Sequence, residues 1–492
     1  MRDSRNQLPP KEADYFESLC QSSDFNTFIE KSCEKSLVEP ATHYISLSIP
    51  FDNIDPLAVL ELMGRKDDFQ YYWEQPDSGF SIAAAEKLSM IRTSGKNRFR
   101  AIRRKLDTLK DRVFSYSEIN HSLSGPHFFG GFSFFDHKLS GAWNAFDNAS
   151  FVMPGWTLVK DGKFSILTLT SVIGKAASPL EIKATLHSRY IGFKEQLAKK
   201  LINGCPLERP KKPSRPAFIQ NTNYANWEQK VLKAISLIKD KTFEKIVIAR
   251  QHHLRLEKEI IPARVLHQLR KSYTNCVSFI YQLNNEACFM GCTPEKLVSM
   301  ESSHVRTEGL AGSISRGKTA AQDTRLEKQL LESQKDLEEH QYVVDSIQDK
   351  LKNYTTEIDY PKIPGVKKIT NVQHLYTPIY ASLNEQMDPL ELIEKLHPTP
   401  AVGGFPQISA LGHIQELEQF ERGWYGGPIG WLNTNGRSEF AVAIRSGLIR
   451  KNTIRFFAGC GIVEDSDPQT EWEETKLKLI PMLNAVENGT KV

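Results

Sequence analysis

Short runs of aromatic and β-branched residues, each closed by a turn signal and without regular helical alternation, constrain this chain more than any other feature. Phe69 to Trp73 and Phe80 to Ala85 flank Gln75-Pro76-Asp77-Ser78-Gly79, and Trp156 to Val159 and Phe164 to Thr170 flank Asp161-Gly162. Ser278 to Leu283 and Ala287 to Gly291 flank Asn284-Asn285-Glu286, and a last meander runs through Gly430-Trp431, Glu439 to Leu448 and Ile454 to Val463, with Asn435-Gly436 at its first turn. Gly, Pro, Asn and Asp adopt turn backbone while their flanks suit a pleated surface, so these pairs read as antiparallel hairpins. A parallel doubly wound sheet needs a crossover helix between successive strands, and that alternation is missing. The expected class is α+β.

Helical periodicity appears between these runs. Asp55-Pro56 opens a short helix, a basic amphipathic helix covers about Ser94 to Val113, and Leu180 to Leu201 and Leu330 to Leu351 continue the pattern. Asn226 is the expected cap of a helix that places Gln229 third and repeats Trp227, Val231, Ala234, Ile235 and Ile238. The organisation expected is a variable extension over 1–40, an N-terminal part of the fold over 41–205, a linker-like connection over 206–222 rich in Pro, Lys and Arg, and a catalytic region over 223–490.

In 492 residues, 63 Lys and Arg face 59 acids, a net charge of +4 that gives no strong pull toward nucleic acid or anionic membrane. Seven cysteines without CxxC pairs read as reduced thiols rather than a zinc site or disulfide framework. With no long apolar window and no apolar leader pattern, a cytoplasmic protein is expected.

Chemistry-bearing residues fall in several stretches. Glu471, Glu474 and Lys478 (i, i+3, i+7) share one helical face, which can hold a hard cation beside an anion or form a solvated ion-pair stripe. Lys245 opens the apolar run to Arg250, either at a solvent edge or as an amine that burial converts into a base. Glu295, after Pro294, reads alone as a turn residue. Thr307 to Ser313 leaves a strand with small residues that let a ligand approach the backbone, and Ser333 to His340 adds acids that surface pairing would also explain.

Together with Ile369 to Leu375, His397 to Pro406, Trp424 to Trp431 and Phe457 to Val463, these stretches resemble the chorismate-utilising enzyme family, and specifically its isochorismate synthase branch, from about Trp227 to Asn484. The N-terminal half matches more loosely, best in Phe129 to Phe134. The resemblance implies one large α+β domain of two stacked antiparallel sheets flanked by helices, the fold of aminodeoxychorismate synthase, with residues 206–222 as a connection inside it. It implies chorismate as substrate and Mg²⁺ as cofactor, held by Glu339 and Glu474, with Glu471 acting through water. Lys245 would deprotonate the water that attacks C2, and Glu295 would protonate the hydroxyl leaving C4. That division needs a neutral amine and a protonated carboxyl, hence opposite pKa displacements. Arg445 would meet the enolpyruvyl carboxylate with its planar fork. Gly312, Ser313, His374, Ala401, Tyr425, Gly459 and Lys478 would complete the substrate shell, with a core role for His374 and a packing role for Tyr425 still open.

Ala311 stands where aminodeoxychorismate synthases carry the lysine that attacks C2, and Lys245 stands where anthranilate synthases usually lack one. A lysine base with an alanine opposite selects water. The resemblance therefore implies reversible conversion of chorismate to isochorismate by a monomer that needs no glutamine amidotransferase subunit. Two alternatives are a salicylate synthase, which goes on to eliminate pyruvate, and a non-catalytic chorismate-binding homologue. Length and the Gly130-Gly131-Phe132 region resemble the menaquinone type more than the siderophore type.

Overall fold

Hydrogen bonding joins 21 strands into one network in the computed structural model, which describes residues 15–38, 41–203, 217–221, 223–384 and 387–489. The network has two arms. One runs in the order Val113–Ser117, Tyr44–Pro50, Phe164–Val172, Ala149–Asp161, Phe80–Thr93, Gln70–Gln75, Val277–Gln282, Cys288–Thr293, Ser446–Arg450, Thr453–Ile462, Lys245–Arg255, Ala217–Asn221. The other leaves the start of the 149–161 strand and passes through His127–Phe132, Pro428–Asn433, Arg437–Val442, Lys296–Glu301 and His304–Ser315 to Val372–Leu383. Every pairing is antiparallel except that of 44–50 with 113–117.

The expected stacking of two sheets arises because the 149–161 strand serves both arms, pairing with 127–132 through its first half and with 164–172 through its second. Between the arms lies a core of Tyr71, Trp73, Phe279 and Tyr281 from one and Phe129, Ile429 and Trp431 from the other. Aromatic side chains dominate it because they fill the space between two sheets with few atoms left unpacked. Helices cover the outer faces. Pro179–Asn203, Pro262–Ser272 and Pro468–Gly489 bury Leu186, Leu266 and Met482 on one side, and Arg98–Lys110, Gln334–Leu351 and Gln407–Glu418 bury Ile102, Val343 and Ile414 on the other.

Several local expectations need correction. The strand expected over Glu439 to Leu448 is two strands, Arg437–Val442 in one arm and Ser446–Arg450 in the other, divided at residues 443–445 where the chain crosses between arms. The helix Tyr224–Lys239 is capped by Asn223, whose side chain accepts from the Asn226 amide, so Asn226 is already in the first turn. The helix expected over 330–351 is two helices, Ala320–Glu332 and Gln334–Leu351, divided by the extended backbone of Ser333, which caps the second by accepting from the Asp336 amide. The strand that Lys245 opens extends to Arg255. Within 1–40, residues 15–38 form the helices Tyr15–Gln21 and Ser23–Val38, which bury Phe16, Phe25 and Ile29. Of the linker-like connection expected over 206–222, Ala217–Asn221 is a strand paired with the 245–255 strand, and 206–216 and 222 lie outside the described residues. Among the described residues no helix is long and apolar enough to cross a membrane.

Candidate active site

The far ends of the two arms and two helices enclose a cavity of about 370 Å³. Val247, Gly459 and Gly461 line it from the first arm, Ala311, Gly312, Ser313 and His374 from the second, and Asp336, Glu339, Glu471, Glu474 and Lys478 from the helices 334–351 and 468–489. Arg445 enters from the link that carries the chain from one arm to the other.

Backbone irregularities shape this wall. Gly312 has φ +71° and the ladder with 372–383 slips there, so the strand bulges. Beyond the bulge Ser313 Oγ lies 2.8 Å from His374 Nδ1. That nitrogen also faces the Gly312 carbonyl at 3.3 Å, which can only accept, so Nδ1 carries the proton. His374 Nε2 is left as a buried acceptor with no partner among the described residues. Burial, followed by the charges of Arg445 and Lys478, holds this imidazole well below its ordinary pKa and therefore neutral. Arg445 adopts φ +48°, an uncommon backbone for a side chain of its size.

Three carboxylates each meet a lysine. Lys245 Nζ donates to Glu339 Oε1 at 2.7 Å, Lys335 Nζ lies 3.4 Å from Glu471 Oε1, and Lys478 Nζ lies 2.5 Å from Glu474 Oε1. Burial alone would raise Glu339, but Lys245, Lys478 and Lys335 outweigh it and hold its carboxyl below the usual range. Burial and the neighbouring charge of Glu474 push Glu471 the other way, up to about 7. Glu295, 4 % exposed, is likewise pushed up to about 7, first by burial and then by Glu308. Thr399 Oγ1, 3.3 Å from Glu295 Oε1, opposes that rise in part.

Of the residues singled out from sequence, Glu295, Gly312, Ser313, His374, Ala401, Arg445, Gly459, Lys478, Glu339, Glu471 and Glu474 all border the cavity. Lys245 does not. It is fully buried behind the wall, where a Cβ on Gly461 would come within 2.8 Å of its Cε and 2.9 Å of Glu339 Oε1. Tyr425 is also behind the wall, stacked on Phe457 with ring centroids 5.1 Å apart. The strand bearing Lys245 is anchored by a buried pair: Arg422 pairs with Glu418 and donates to the Val247 and Val402 carbonyls at 2.8 Å each, while Glu418 accepts from the Ala249 amide at 2.7 Å. Thr399, Lys335 and Asp336 also belong to the site. All three sit inside stretches that sequence had marked, without a local signal to single them out.

The donor set suits a hard dication. It consists of carboxylate oxygens from two helices, and burial followed by neighbouring carboxylates raises both Glu471 and Asp336, a displacement that a cation beside them would oppose. Among the described residues, however, no three His, Cys, Asp or Glu groups converge as a ready-made ligand set. The lysine contacts hold the carboxylates individually instead. Chemically the cavity offers a carboxyl that holds its proton up to about pH 7, a neutral imidazole acceptor, a buried guanidinium and several carboxylates, a combination matched to a small anion that must lose a hydroxyl.

Residues 30–487 match a family model described as chorismate binding enzyme. The chain is 35% identical over 450 residues to isochorismate synthase MenF of Bacillus subtilis, covering 90% of this chain and 93% of that protein. It is 35% identical over 441 residues to the salicylate biosynthesis isochorismate synthase of Pseudomonas aeruginosa, covering 88% of each. The solved structure of MenF, the menaquinone-specific isochorismate synthase from Escherichia coli, superposes with a TM-score of 0.72 at 25% identity, covering 94% of this chain and 99% of that one.

Proposed function

The chain belongs to the chorismate binding enzyme family, and from that membership we propose that it converts chorismate reversibly to isochorismate. The observation that carries the reading is a pair of buried groups: Glu295, in the link between the two arms, which holds its proton up to about pH 7 at the cavity wall, and Lys245, fully buried beside Glu339. Lys245, directly behind the cavity-lining Gly461, takes a proton from the water that bonds to C2, and Glu295 gives its proton to the hydroxyl that leaves C4, while the ring double bonds shift. One water enters and one departs, so the product is an isomer of the substrate. Arg445 receives the enolpyruvyl carboxylate, since a buried guanidinium gains most from an anion that fits its planar fork. Ser313, His374 and Lys478 orient the ring, and the backbone at Gly312, Ala401 and Gly459 lets it approach closely. Tyr425 supports this wall from behind through Phe457.

Glu339 and Glu474, with Glu471, would hold Mg²⁺, which when bound supplies positive charge to the ring carboxylate and withdraws electrons as the hydroxyl departs. Ala311 at the wall leaves space for water where a lysine would otherwise attack C2. No ammonia has to be delivered, so no amidotransferase subunit is needed; a cytoplasmic monomer is the form in which we take it to act. Of the routes that its relatives' names indicate, we favour the menaquinone type, supported by the coverage of the E. coli structure.

Chromatography of purified protein with chorismate and Mg²⁺ tests the reading. Isochorismate is expected, EDTA should abolish its formation and Mg²⁺ should restore it. Lys245→Gln and Glu295→Gln should each abolish turnover with the fold intact. Salicylate and pyruvate formed at the rate of chorismate loss would replace this reading with a salicylate synthase, and no consumption at all with a binding protein.

A further inference from the structure

Glu295 is followed along the chain by a residue, and preceded by another, that are held by the same ion pair. Lys367 Nζ, from the strand Gly365–Lys368, donates to the Pro294 carbonyl at 2.7 Å and to Glu308 Oε1 at 2.9 Å. Glu308 Oε1, from the strand His304–Ser315, also accepts from the Lys296 amide at 2.9 Å. The two backbone groups that bracket Glu295 are thus tied to one lysine and one carboxylate from two other strands. Glu308 is 7 % exposed, and Lys367 reaches it across the Tyr376 ring, whose centroid lies 5.2 Å from Nζ. A link of this kind costs side-chain entropy and desolvation, and a turn next to a proline does not need it for folding alone.

We propose that Glu308 and Lys367 form a positioning pair for Glu295, fixing its backbone from both sides and setting the charge balance that its carboxyl faces. The proposal rests on the reading of Glu295 as the proton donor. A carboxylate held nearby favours the protonated form of Glu295, and the ammonium paired with it works the other way, so each member of the pair moderates the other. The remaining groups around Glu295 do not duplicate this arrangement. Thr399 reaches its carboxyl from the 397–406 loop, Lys245 acts on it from the 245–255 strand, and Arg445 lines the same cavity. The amine of Lys296 turns away to Glu439 at 3.3 Å, and Arg306 lies near Glu308 on its own strand.

The pH dependence of kcat/KM for chorismate separates this role from simple support of the fold. In the wild type kcat/KM should fall as pH rises through about 7, because Glu295 loses the proton it has to give. Glu308→Gln keeps an acceptor for Lys367 and for the Lys296 amide but removes the negative charge, so the fall should move to lower pH. Lys367→Met leaves Glu308 unbalanced, so the fall should move to higher pH. Displacements of about one pH unit each are expected, which reads as a roughly tenfold change in activity on the alkaline side, in opposite directions for the two variants. A purely structural pair would lower kcat/KM equally at every pH, and profiles that coincide with the wild type, or move the same way in both variants, would overturn the proposal. Failure of the proton-donor reading is recognised separately, by activity and an unchanged alkaline fall in Glu295→Gln.

Discussion

Gly461→Ala places one methyl group where Lys245 and Glu339 meet. A Cβ at this position would lie 2.8 Å from Lys245 Cε, 2.9 Å from Glu339 Oε1 and 3.4 Å from Lys245 Nζ. Ordinary carbon contacts lie at about 3.5–4.0 Å, so the lysine has to retreat by roughly 1 Å. Lys245 is fully buried, which leaves it no solvent to retreat into. A misplacement of about 1 Å at a reacting group costs on the order of 100-fold in rate, or about 2.7 kcal/mol of transition-state stabilisation. The stability cost is smaller. The atoms that must move are the ends of side chains, and the overpacking penalty of about 1–3 kcal/mol is offset by about 0.4–1 kcal/mol from the stiffer unfolded chain. The expected outcome is a 10- to 100-fold fall in kcat/KM, measured by chorismate consumption, with a melting temperature close to that of the wild type. Gly412→Ala, inside the helix 407–418 where an added Cβ meets nothing within 4 Å, is the control: it should leave kcat/KM unchanged and raise stability by up to about 1 kcal/mol. Wild-type kcat/KM in Gly461→Ala would refute the reasoning, because the Lys245–Glu339 contact could then be displaced without consequence.

Two further predictions concern stability. Folding raises Glu295 from its ordinary 4.5 to about 7, so the protonated carboxyl is the form that the fold favours; the stabilisation this brings is complete below pH 4.5 and is lost as pH rises through about 7. Glu295→Gln removes that dependence, so its stability relative to the wild type should improve by about 2–3 kcal/mol between pH 4 and pH 8; urea unfolding giving the same difference at both pH values would contradict this. Arg422→Met strips the counterion from Glu418, whose side chain is 0% exposed, and should cost about 3–5 kcal/mol of unfolding free energy; a loss below about 1 kcal/mol would show that the pair does not anchor the 245–255 strand.

The hairpins were legible because turn dipeptides such as Asp161-Gly162 and Asn435-Gly436 act locally, and the paired strands appear where they point. The break at Ser333 was not, since apolar periodicity continues through it and only the cap geometry divides the helix. The same distinction holds in the site. Glu339, Glu471, Glu474 and Lys478 could be recognised from helical spacing and motif, because the elements that carry them are regular. Thr399, Glu308 and Lys367 could not, because each acts on Glu295 from more than ten residues away in sequence and from a separate element. The burial of Lys245 behind Gly461 was equally hidden, since an apolar strand that opens with lysine looks the same whether its first residue meets water or another strand.

The strands 446–450 and 453–462 are inserted between 288–293 and 245–255, although they are made long after both. Until residue 462 has left the ribosome, one edge of each of these earlier strands has no partner, and open edges of apolar strands invite pairing with other chains. A nascent or truncated chain is therefore exposed to aggregation until the 446–450 and 453–462 strands are made. Closure of the gap brings Gly459 and Gly461 to the cavity at the same moment, and the final helix, with Glu471, Glu474 and Lys478, then completes the wall.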